Sequence, residues 1–320
     1  MRRSKPSFKS FRFFPTLFGM VIFVALLPAP ASAYVREVTA SGVPIAWKHP
    51  CVSLHIFVGS APLLLTSADY AAAAAQAAAA WSYPQLACTD IRLTVAPEDA
   101  PVADVGNDGQ NVIVFRQGTW CREPPPVNDA GVAEPACYPS SALAVTTVVK
   151  NSKTGEILDT DIEFNAVNYS WGDLEAQPDL ADGWTADFQN ALTHELGHAI
   201  GLDHPCYAPA DGQPRHTDNK GTPEVNCYGN PDLPDSIANA TMYPSVQLSD
   251  TSRRVLSPDD EQGVCDIYPY GRDFCSADVE GGGCNVRPPV RSKGPGTFIA
   301  LGLALGLAAV LVWRRSRFEP

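Results

Sequence analysis

The run Thr193–His204 (THELGHAIGLDH) restricts the local fold more tightly than any other stretch of the 320-residue chain. His194 and His198 are four positions apart, and on an α-helix this spacing places them on one face, about 40° apart and one turn from each other. Glu195 projects roughly 100° from His194 on the same helix. The spacing predicts a helix on which two imidazoles reach one metal ion, with a carboxylate beside that ion.

The residues after this helix predict a third metal ligand. Gly201 can adopt the left-handed conformation that ends a helix and turns the chain. This turn allows His204 to return as a third nitrogen ligand. Three histidines leave a tetrahedral zinc ion one open position for water, whereas a structural zinc site is closed by four protein ligands. We therefore expect one catalytic Zn²⁺ ion, with Glu195 as the base that acts on the water.

The run from His194 to His204 resembles the HExxHxxGxxH zinc signature of the metzincin metallopeptidases. That family also has a methionine in a tight turn below the metal, and Ala240–Pro244 (ATMYP), which contains Met242, is similar to that turn in the matrixin branch. The resemblance covers residues 140–268 well and residues 44–140 only in the order of the predicted elements. Three further segments are similar to matrixin sequences: Asp159–Asn165, Asp187–Thr193 and Leu256–Tyr268.

The resemblance implies a fold and a reaction. The fold would be a zincin-like α+β domain, with a twisted mixed β-sheet, two long helices and a zinc cleft between an upper and a lower part. Asp159–Asn165 would be the strand that borders the substrate cleft. The reaction would be hydrolysis of peptide bonds, in which Glu195 takes a proton from water and passes it to the leaving amine. Protein or peptide substrates are the partners that this reaction implies.

Two other functions remain open. A surface binding or adhesion module could keep the same fold without turnover, although such a module would be expected to have lost Glu195 or a histidine ligand. A zinc hydrolase acting on a substrate other than a peptide would use the same residues. The net charge of −12 argues against nucleic acid as a partner. We expect the protein to be a monomer.

The chain departs from the matrixin pattern in two places. Pro205 follows the third histidine, where matrixins usually have serine. The segment between His204 and Met242 is longer than usual and contains Cys206 and Cys227, which predicts a disulfide-closed insert beside the specificity pocket. No His-x-Asp run indicates a second, structural zinc.

Other polar residues give weaker signals. Residues 104–108 (DVGND) could hold Ca²⁺, but an ordinary turn is the better interpretation. His49, His55 and His216 are interpreted as core or surface histidines rather than ligands.

Local patterns predict the order of the secondary structure. Ser67 is expected to cap a helix that runs through an alanine-rich stretch to about Trp81, and a second long helix is expected over Trp184–Ala199. Ser257 is expected to cap a last helix that ends near Tyr268. Alternating β-branched and apolar residues predict five strands, the last two joined as a hairpin: 53–58, 91–95, 111–115, 142–149 and 156–164.

Both ends of the chain have the features of export and anchoring signals. Residues 1–33 combine a basic start, a short apolar run and Ala-Ser-Ala, which predicts a signal peptide, an uncut membrane anchor being the alternative. We expect a catalytic domain over residues 34–275 and a linker over 276–296. Residues 297–313 form a short apolar segment that predicts a transmembrane helix, and a basic tail follows over 314–320.

The C-terminal layout resembles the sorting tails of myxobacterial surface proteins, with Cys284 as a candidate processing site; a plain single-span anchor is the alternative. The protein is therefore expected to be exported from a bacterium and either secreted or held at the cell surface.

With 12 basic and 34 acidic residues, residues 34–284 have a net charge of −22. Eight cysteines of the exported domain are expected to form disulfides, and nearest-neighbour pairing suggests four pairs: Cys51–Cys88, Cys121–Cys137, Cys206–Cys227 and Cys265–Cys275.

Overall fold

The computed structural model of the chain describes most of the predicted catalytic domain, all of it within one compact unit. The expected signal peptide, the linker, the apolar segment 297–313, the basic tail, Cys275 and Cys284 lie outside the described residues. Within the described part, no helix is long and apolar enough to cross a membrane. The described ranges are 34–62, 64–98, 105–123, 125, 135–181, 183–208 and 215–271.

A five-stranded mixed sheet forms the centre of the domain. Its strands are β2 (Cys51–Phe57), β3 (Arg92–Glu98), β4 (Val112–Arg116), β5 (Ala144–Lys150) and β6 (Ile157–Asn165). Their order in the sheet is β3-β2-β4-β6-β5. The first four strands in that order run parallel to one another, and β5 is antiparallel to β6. The predicted hairpin is therefore confirmed, and so is the mixed sheet.

Strand β6 contains Asp159–Asn165, the segment expected to border the substrate cleft. This strand lies inside the sheet, between β4 and β5, and nearly all of its residues are buried. Strand β5 lies at one edge of the sheet, because it pairs with β6 on one side only. Its seven residues are all half-buried, as expected for a strand with one unpaired side. That Asp159–Asn165 borders a substrate cleft stays a prediction.

Helix α1 (Ser67–Ala80) begins one residue earlier than expected, because its cap is Thr66 rather than Ser67. The Thr66 hydroxyl accepts a hydrogen bond from the backbone N–H of Asp69, and the Asp69 carboxylate accepts one from the N–H of Thr66. This reciprocal arrangement satisfies two N–H groups that the helix itself leaves unpaired. The buried face of α1 consists of Tyr70 and small alanines, so the helix can approach its neighbours closely.

Helix α2 (Phe188–Ala199) is shorter than the predicted Trp184–Ala199. Residues Thr185–Asp187 form strand β8 instead, which pairs in parallel with β7 (Ser170–Gly172). The Asp187 carboxylate accepts a hydrogen bond from the N–H of Asn190 and so caps the helix. Pairing with a distant strand therefore determines where the helix begins.

Both helices contribute to a core dominated by aromatic side chains. Phe188 of α2 lies with its ring centroid 5.1 Å from that of Tyr70 of α1, in an edge-to-face arrangement. Phe164 of β6 lies 5.1 Å from Phe188 and 4.9 Å from Trp171 of β7. Such aromatic contacts add about 0.5–1.5 kcal/mol each beyond the burial of apolar area. They hold α2 rigidly against the sheet.

Two short strands and two helices belong to the rest of the described fold. Strand β1 (Val35–Arg36) pairs antiparallel with β9 (Leu202–Asp203), directly after α2. Helix α3 (Asp235–Ala238) lies in the segment between His204 and Met242. Helix α4 (Pro258–Ile267) is capped by Ser257, as predicted.

The disulfides agree with the expected pairing only in part. Cys121–Cys137 and Cys206–Cys227 are bonded, as nearest-neighbour pairing suggests. Cys88 is bonded to Cys265, so the expected pairs Cys51–Cys88 and Cys265–Cys275 were both wrong. Residues 88 and 265 are 177 positions apart in sequence but 5.4 Å apart between Cα atoms, a proximity that no local pattern reveals. Cys51 is also disulfide-bonded.

Candidate metal centre

Helix α2 and the turn after it place the three predicted histidines together. His194 and His198 lie one turn apart on α2, and the helix ends at Ala199. Gly201 has φ +97°, and a Cβ atom there would lie 2.8 Å from the carbonyl oxygen of Ile45. Only glycine meets both requirements at this position. The chain then turns into β9 and brings His204 back towards the helix.

The Nε2 atoms of the three imidazoles converge on one point. Nε2 of His204 lies 3.2 Å from Nε2 of His198 and 3.3 Å from Nε2 of His194. Three nitrogens bound tetrahedrally at zinc–nitrogen distances near 2.05 Å would lie about 3.3 Å apart. Among the described residues, these histidines are the only group of three or more potential ligands close enough to hold one metal ion.

Backbone carbonyl groups orient two of the three rings. Nδ1 of His194 donates a hydrogen bond to the carbonyl oxygen of Thr241 at 2.8 Å, and Nδ1 of His198 donates one to that of Leu202 at 3.0 Å. With the proton on Nδ1, each Nε2 presents a lone pair. Metal-binding histidines are commonly held in this way.

Burial and neighbouring charge disfavour the charged form of two of the three imidazoles. Burial, and then the charge that would develop on His198 and His204, holds the pKa of His194 well below its usual range. Burial and His198 likewise lower the pKa of His204. Neutral imidazoles with converging lone pairs repel one another, and a bound cation would remove that repulsion. His194 and His204 therefore have the protonation state that a metal ligand requires.

The Glu195 carboxylate lies on the same helix and is buried beside the histidines. Burial raises its pKa, while His198 and a hydrogen bond from the Thr146 hydroxyl act in the opposite direction. Thr146 belongs to the edge strand β5, and its Oγ1 lies 2.6 Å from Oε2 of Glu195. The sequence did not predict the role of Thr146, because nothing in its local pattern indicates a contact with a residue 49 positions away.

Met242 lies directly against the helix that bears the histidines. A Cβ atom on Gly197 would lie 2.2 Å from the Met242 sulfur, so glycine is needed here for the close approach of methionine to α2. Met242 itself is 1% exposed. Asp260 of α4 holds the turn, since its carboxylate accepts a hydrogen bond of 2.6 Å from the N–H of Thr241 and a longer one from that of Met242. Asp260 was also missed in the sequence.

The insert after His204 is attached to the site at several points. The Cys206–Cys227 disulfide closes it, and the carbonyl oxygen of Cys227 accepts a hydrogen bond from the Tyr243 hydroxyl, next to Met242. His216, which was interpreted as a core or surface residue, hydrogen-bonds through Nδ1 to the Asp203 carboxylate at 2.9 Å. This hydrogen bond raises the pKa of His216. His216 is not part of the three-histidine group.

A second buried polar cluster lies on β6, away from the histidines. Oδ2 of Asp159 accepts hydrogen bonds from the N–H groups of Asp108 and Gly109, and Asp161 accepts from those of Gly106 and Val112. The side chain of Asp108 accepts hydrogen bonds from Gln110, as in an ordinary turn. Asp104, the other acidic residue of segment 104–108, lies outside the described residues.

Glu163, further along β6, forms a buried ion pair. Its carboxylate lies 2.5 Å from Nε of Arg116 on β4 and accepts a hydrogen bond from the Tyr138 hydroxyl at 2.7 Å. Glu163 is fully buried, and Arg116 is 8% exposed. These contacts fasten the segment that contains Cys121–Cys137 to the sheet.

Comparisons with known proteins do not assign this chain to a family. No known family model matches it. A search of curated proteins finds no matching relative. The function proposed below therefore depends on the geometry of the site and on the resemblance of its residues to the metzincin pattern.

Proposed function

We propose that the protein is a zinc-dependent endopeptidase of the metzincin type with a matrixin-like active site, exported from the cell and working as a monomer on protein or peptide substrates. The single observation that supports this most strongly is the convergence of three Nε2 atoms beside the buried Glu195 carboxylate. A structural zinc site would be closed by a fourth protein ligand, and the described residues bring none to this group.

The three histidines fit Zn²⁺ in geometry, and His194 and His204 also fit in protonation state. The separations of 3.2 and 3.3 Å between Nε2 atoms match those of a tetrahedral site, and nitrogen ligands are ones that zinc prefers. His194, His198 and His204 would hold the ion. When bound, Zn²⁺ supplies Lewis acidity, which polarises the scissile carbonyl and makes water more acidic.

Glu195 provides the acid–base chemistry of the proposed reaction. One carboxylate oxygen, Oε2, is occupied by the Thr146 hydroxyl. Oε1 takes the proton of the attacking water, and the same carboxyl group then gives that proton to the leaving amine as the C–N bond breaks. The proton gained from water is thus the one that the amine receives. The buried position of Glu195 keeps its carboxylate from exchanging this proton with bulk solvent.

The open edge of the sheet supports a peptide as the substrate. Strand β5 borders the site, since Thr146 contacts Glu195, and within the described part of the chain it pairs only with β6. An extended peptide can add to such an edge through backbone hydrogen bonds. The scissile bond would then lie beside the carboxylate.

The disulfides support export. The described residues contain three complete disulfides, which are typical of proteins that fold in an oxidising compartment. The signal peptide, the anchoring segment 297–313 and processing at Cys284 remain predictions from the sequence.

Hydrolysis of casein by the purified, zinc-loaded protein tests the proposal. We expect the parent to cleave casein and Glu195→Ala to lose at least about a thousandfold in rate while it still binds one zinc, because general base catalysis disappears and the ligands remain. Glu175→Ala, a change at an exposed glutamate, is the matched control and should retain full activity.

Three results would contradict the proposed function. Casein cleavage by Glu195→Ala at the parental rate would exclude Glu195 as the base. A parent that binds zinc and peptides without turnover would indicate a binding module. Hydrolysis of esters or other non-peptide substrates, but not of peptides, would indicate a different zinc hydrolase.

A further inference from the structure

Thr146 is the side chain of the central sheet that reaches the proposed base. Its Oγ1 lies 2.6 Å from Oε2 of Glu195 and 3.2 Å from the backbone carbonyl oxygen of the same residue. A threonine hydroxyl has one proton to donate. The shorter contact, to an ionised oxygen, is the stronger of the two, so the hydroxyl donates to the carboxylate.

This hydrogen bond distinguishes the two oxygens of Glu195. Oε2 accepts from Thr146, and no described residue donates a hydrogen bond to Oε1. A glutamate side chain otherwise rotates about three bonds, and several of its rotamers would turn the carboxylate away from the histidines. Fixing one oxygen therefore determines where the other oxygen lies.

Thr146 is itself held rigidly. Its strand is paired with β6 in a register that places Thr146 opposite Ile162, a fully buried residue. A β-branched side chain has few χ1 choices, so the hydroxyl has a well-defined position on this strand. The hydrogen bond therefore joins the edge strand to the helix at the site of the proposed chemistry.

We propose that Thr146 is a positioning residue, which holds Oε2 of Glu195 so that Oε1 is aimed at the attacking water. This inference rests on the proposed function, because it assigns a role in the same reaction. Thr146 exchanges no proton with the substrate. It acts through Glu195, and its effect should appear in the chemical step rather than in the binding of substrate or metal.

The test compares three variants of the full chain. Thr146→Val removes the hydroxyl and keeps the β-branched shape, whereas Thr146→Ser restores a hydroxyl at the same place. Thr147→Val is the matched control, because successive residues of a strand point to opposite faces. We expect Thr146→Val to lower kcat by about 10- to 100-fold, since misplacement of a catalytic group by about 1 Å has effects of this size. KM and zinc affinity should stay within about twofold of the parent.

Thr146→Ser is expected to recover most of kcat, and Thr147→Val to behave like the parent. Either of two results would overturn the inference: a parental kcat in Thr146→Val, or a kcat in Thr146→Ser as low as in Thr146→Val. The second result would mean that the methyl group, and not the hydroxyl, matters.

Crystal structures of the metal-free variants give a readout that does not depend on activity. We expect the Glu195 carboxylate to keep its place in Thr146→Ser and to move in Thr146→Val. An unmoved carboxylate in Thr146→Val would overturn the positioning role. If the parent shows no peptide cleavage at all, the proposed function fails, whereas this structural comparison still decides whether Thr146 holds Glu195.

Discussion

Two buried polar clusters in this domain differ in the groups that their potential metal-binding atoms face. In the histidine cluster, the Nδ1 atoms of His194 and His198 are satisfied by backbone carbonyls, and the Nε2 atoms of all three histidines point at one another. On β6, the carboxylates of Asp159 and Asp161 are turned towards backbone N–H groups. In the histidine cluster, the Nε2 hydrogen-bond acceptors face one another. On β6, the carboxylate acceptors face N–H donors.

This difference shows which cluster requires something from outside the chain. Buried polar atoms are costly unless they have a partner, and on β6 nearly all the partners come from the protein itself. One oxygen there, Oδ1 of Asp159, has no partner among the described residues, but no group of metal ligands surrounds it. The three Nε2 atoms converge on one point, and a cation there would satisfy all of them at once. Proximity of ligand-type residues is therefore a weaker sign of a metal site than convergence of their lone pairs.

The largest effect is expected when one of the three converging nitrogens of the histidine cluster is removed. His198→Ala should weaken zinc binding on the order of a thousandfold and abolish peptide cleavage, because one of three ligands is lost. Isothermal titration with Zn²⁺ measures the change, with His55→Ala as the control, since His55 is only half-buried and its Nδ1 lies 4.0 Å from Oε2 of Glu98. Unchanged zinc affinity in His198→Ala would show that the metal binds elsewhere.

The next test removes a donor from Glu163, another buried carboxylate of β6, the strand that carries the second cluster. Arg116→Met should lower the free energy of unfolding by about 3 kcal/mol, because it leaves the fully buried Glu163 carboxylate without its ion-pair partner. Urea denaturation measures the loss, and Lys153→Met in an exposed turn serves as the control. Zinc stoichiometry should not change. A variant that lost its zinc without losing stability would mean that the two clusters are not independent.

The smallest expected effect concerns pH. Burial, together with the neighbouring Asp159, raises the pKa of Asp161 to about 7. The folded state therefore binds a proton at this group more tightly than the unfolded state, and the stability this adds declines as pH rises from about 4 to about 7. Relative to Asp161→Asn, the melting temperature of the parent should fall by a few degrees between pH 5 and pH 8. If the difference in melting temperature between the parent and Asp161→Asn does not change with pH, the raised pKa of Asp161 is contradicted.

The sequence predicted the histidine cluster well because the information there is local. The spacing of His194, His198 and His204, with Gly201 between the last two, depends only on helix geometry and on one left-handed residue. The cap at Ser257 was predicted for the same reason. The cap of α1 was missed by one residue, because Thr66 and Ser67 are both good caps and only the reciprocal bond to Asp69 selects the first.

The features that the sequence did not predict depend on pairing between distant segments. Helix α2 begins at Phe188 and not at the predicted Trp184, because Thr185–Asp187 pairs with β7. The sequence predicted the strands of the hairpin but not that β6 lies inside the sheet and β5 at its edge, because strand order follows from the whole topology. Thr146 contacts Glu195 only because β5 lies at that edge. A local pattern indicates that a strand exists, but not which strand lies beside it.

The Cys88–Cys265 disulfide has a consequence for the proposed activity, the cleavage of polypeptides. This bond closes a covalent ring that includes the histidines, Glu195, Met242 and Thr146. In the chain-entropy account, a ring of this size destabilises the unfolded chain by about 5 kcal/mol. A single cut at any peptide bond between residues 88 and 265 opens the ring without releasing a fragment, because both pieces stay joined through sulfur. One accidental nick by a neighbouring molecule would therefore leave every part of the catalytic apparatus on the same covalent assembly.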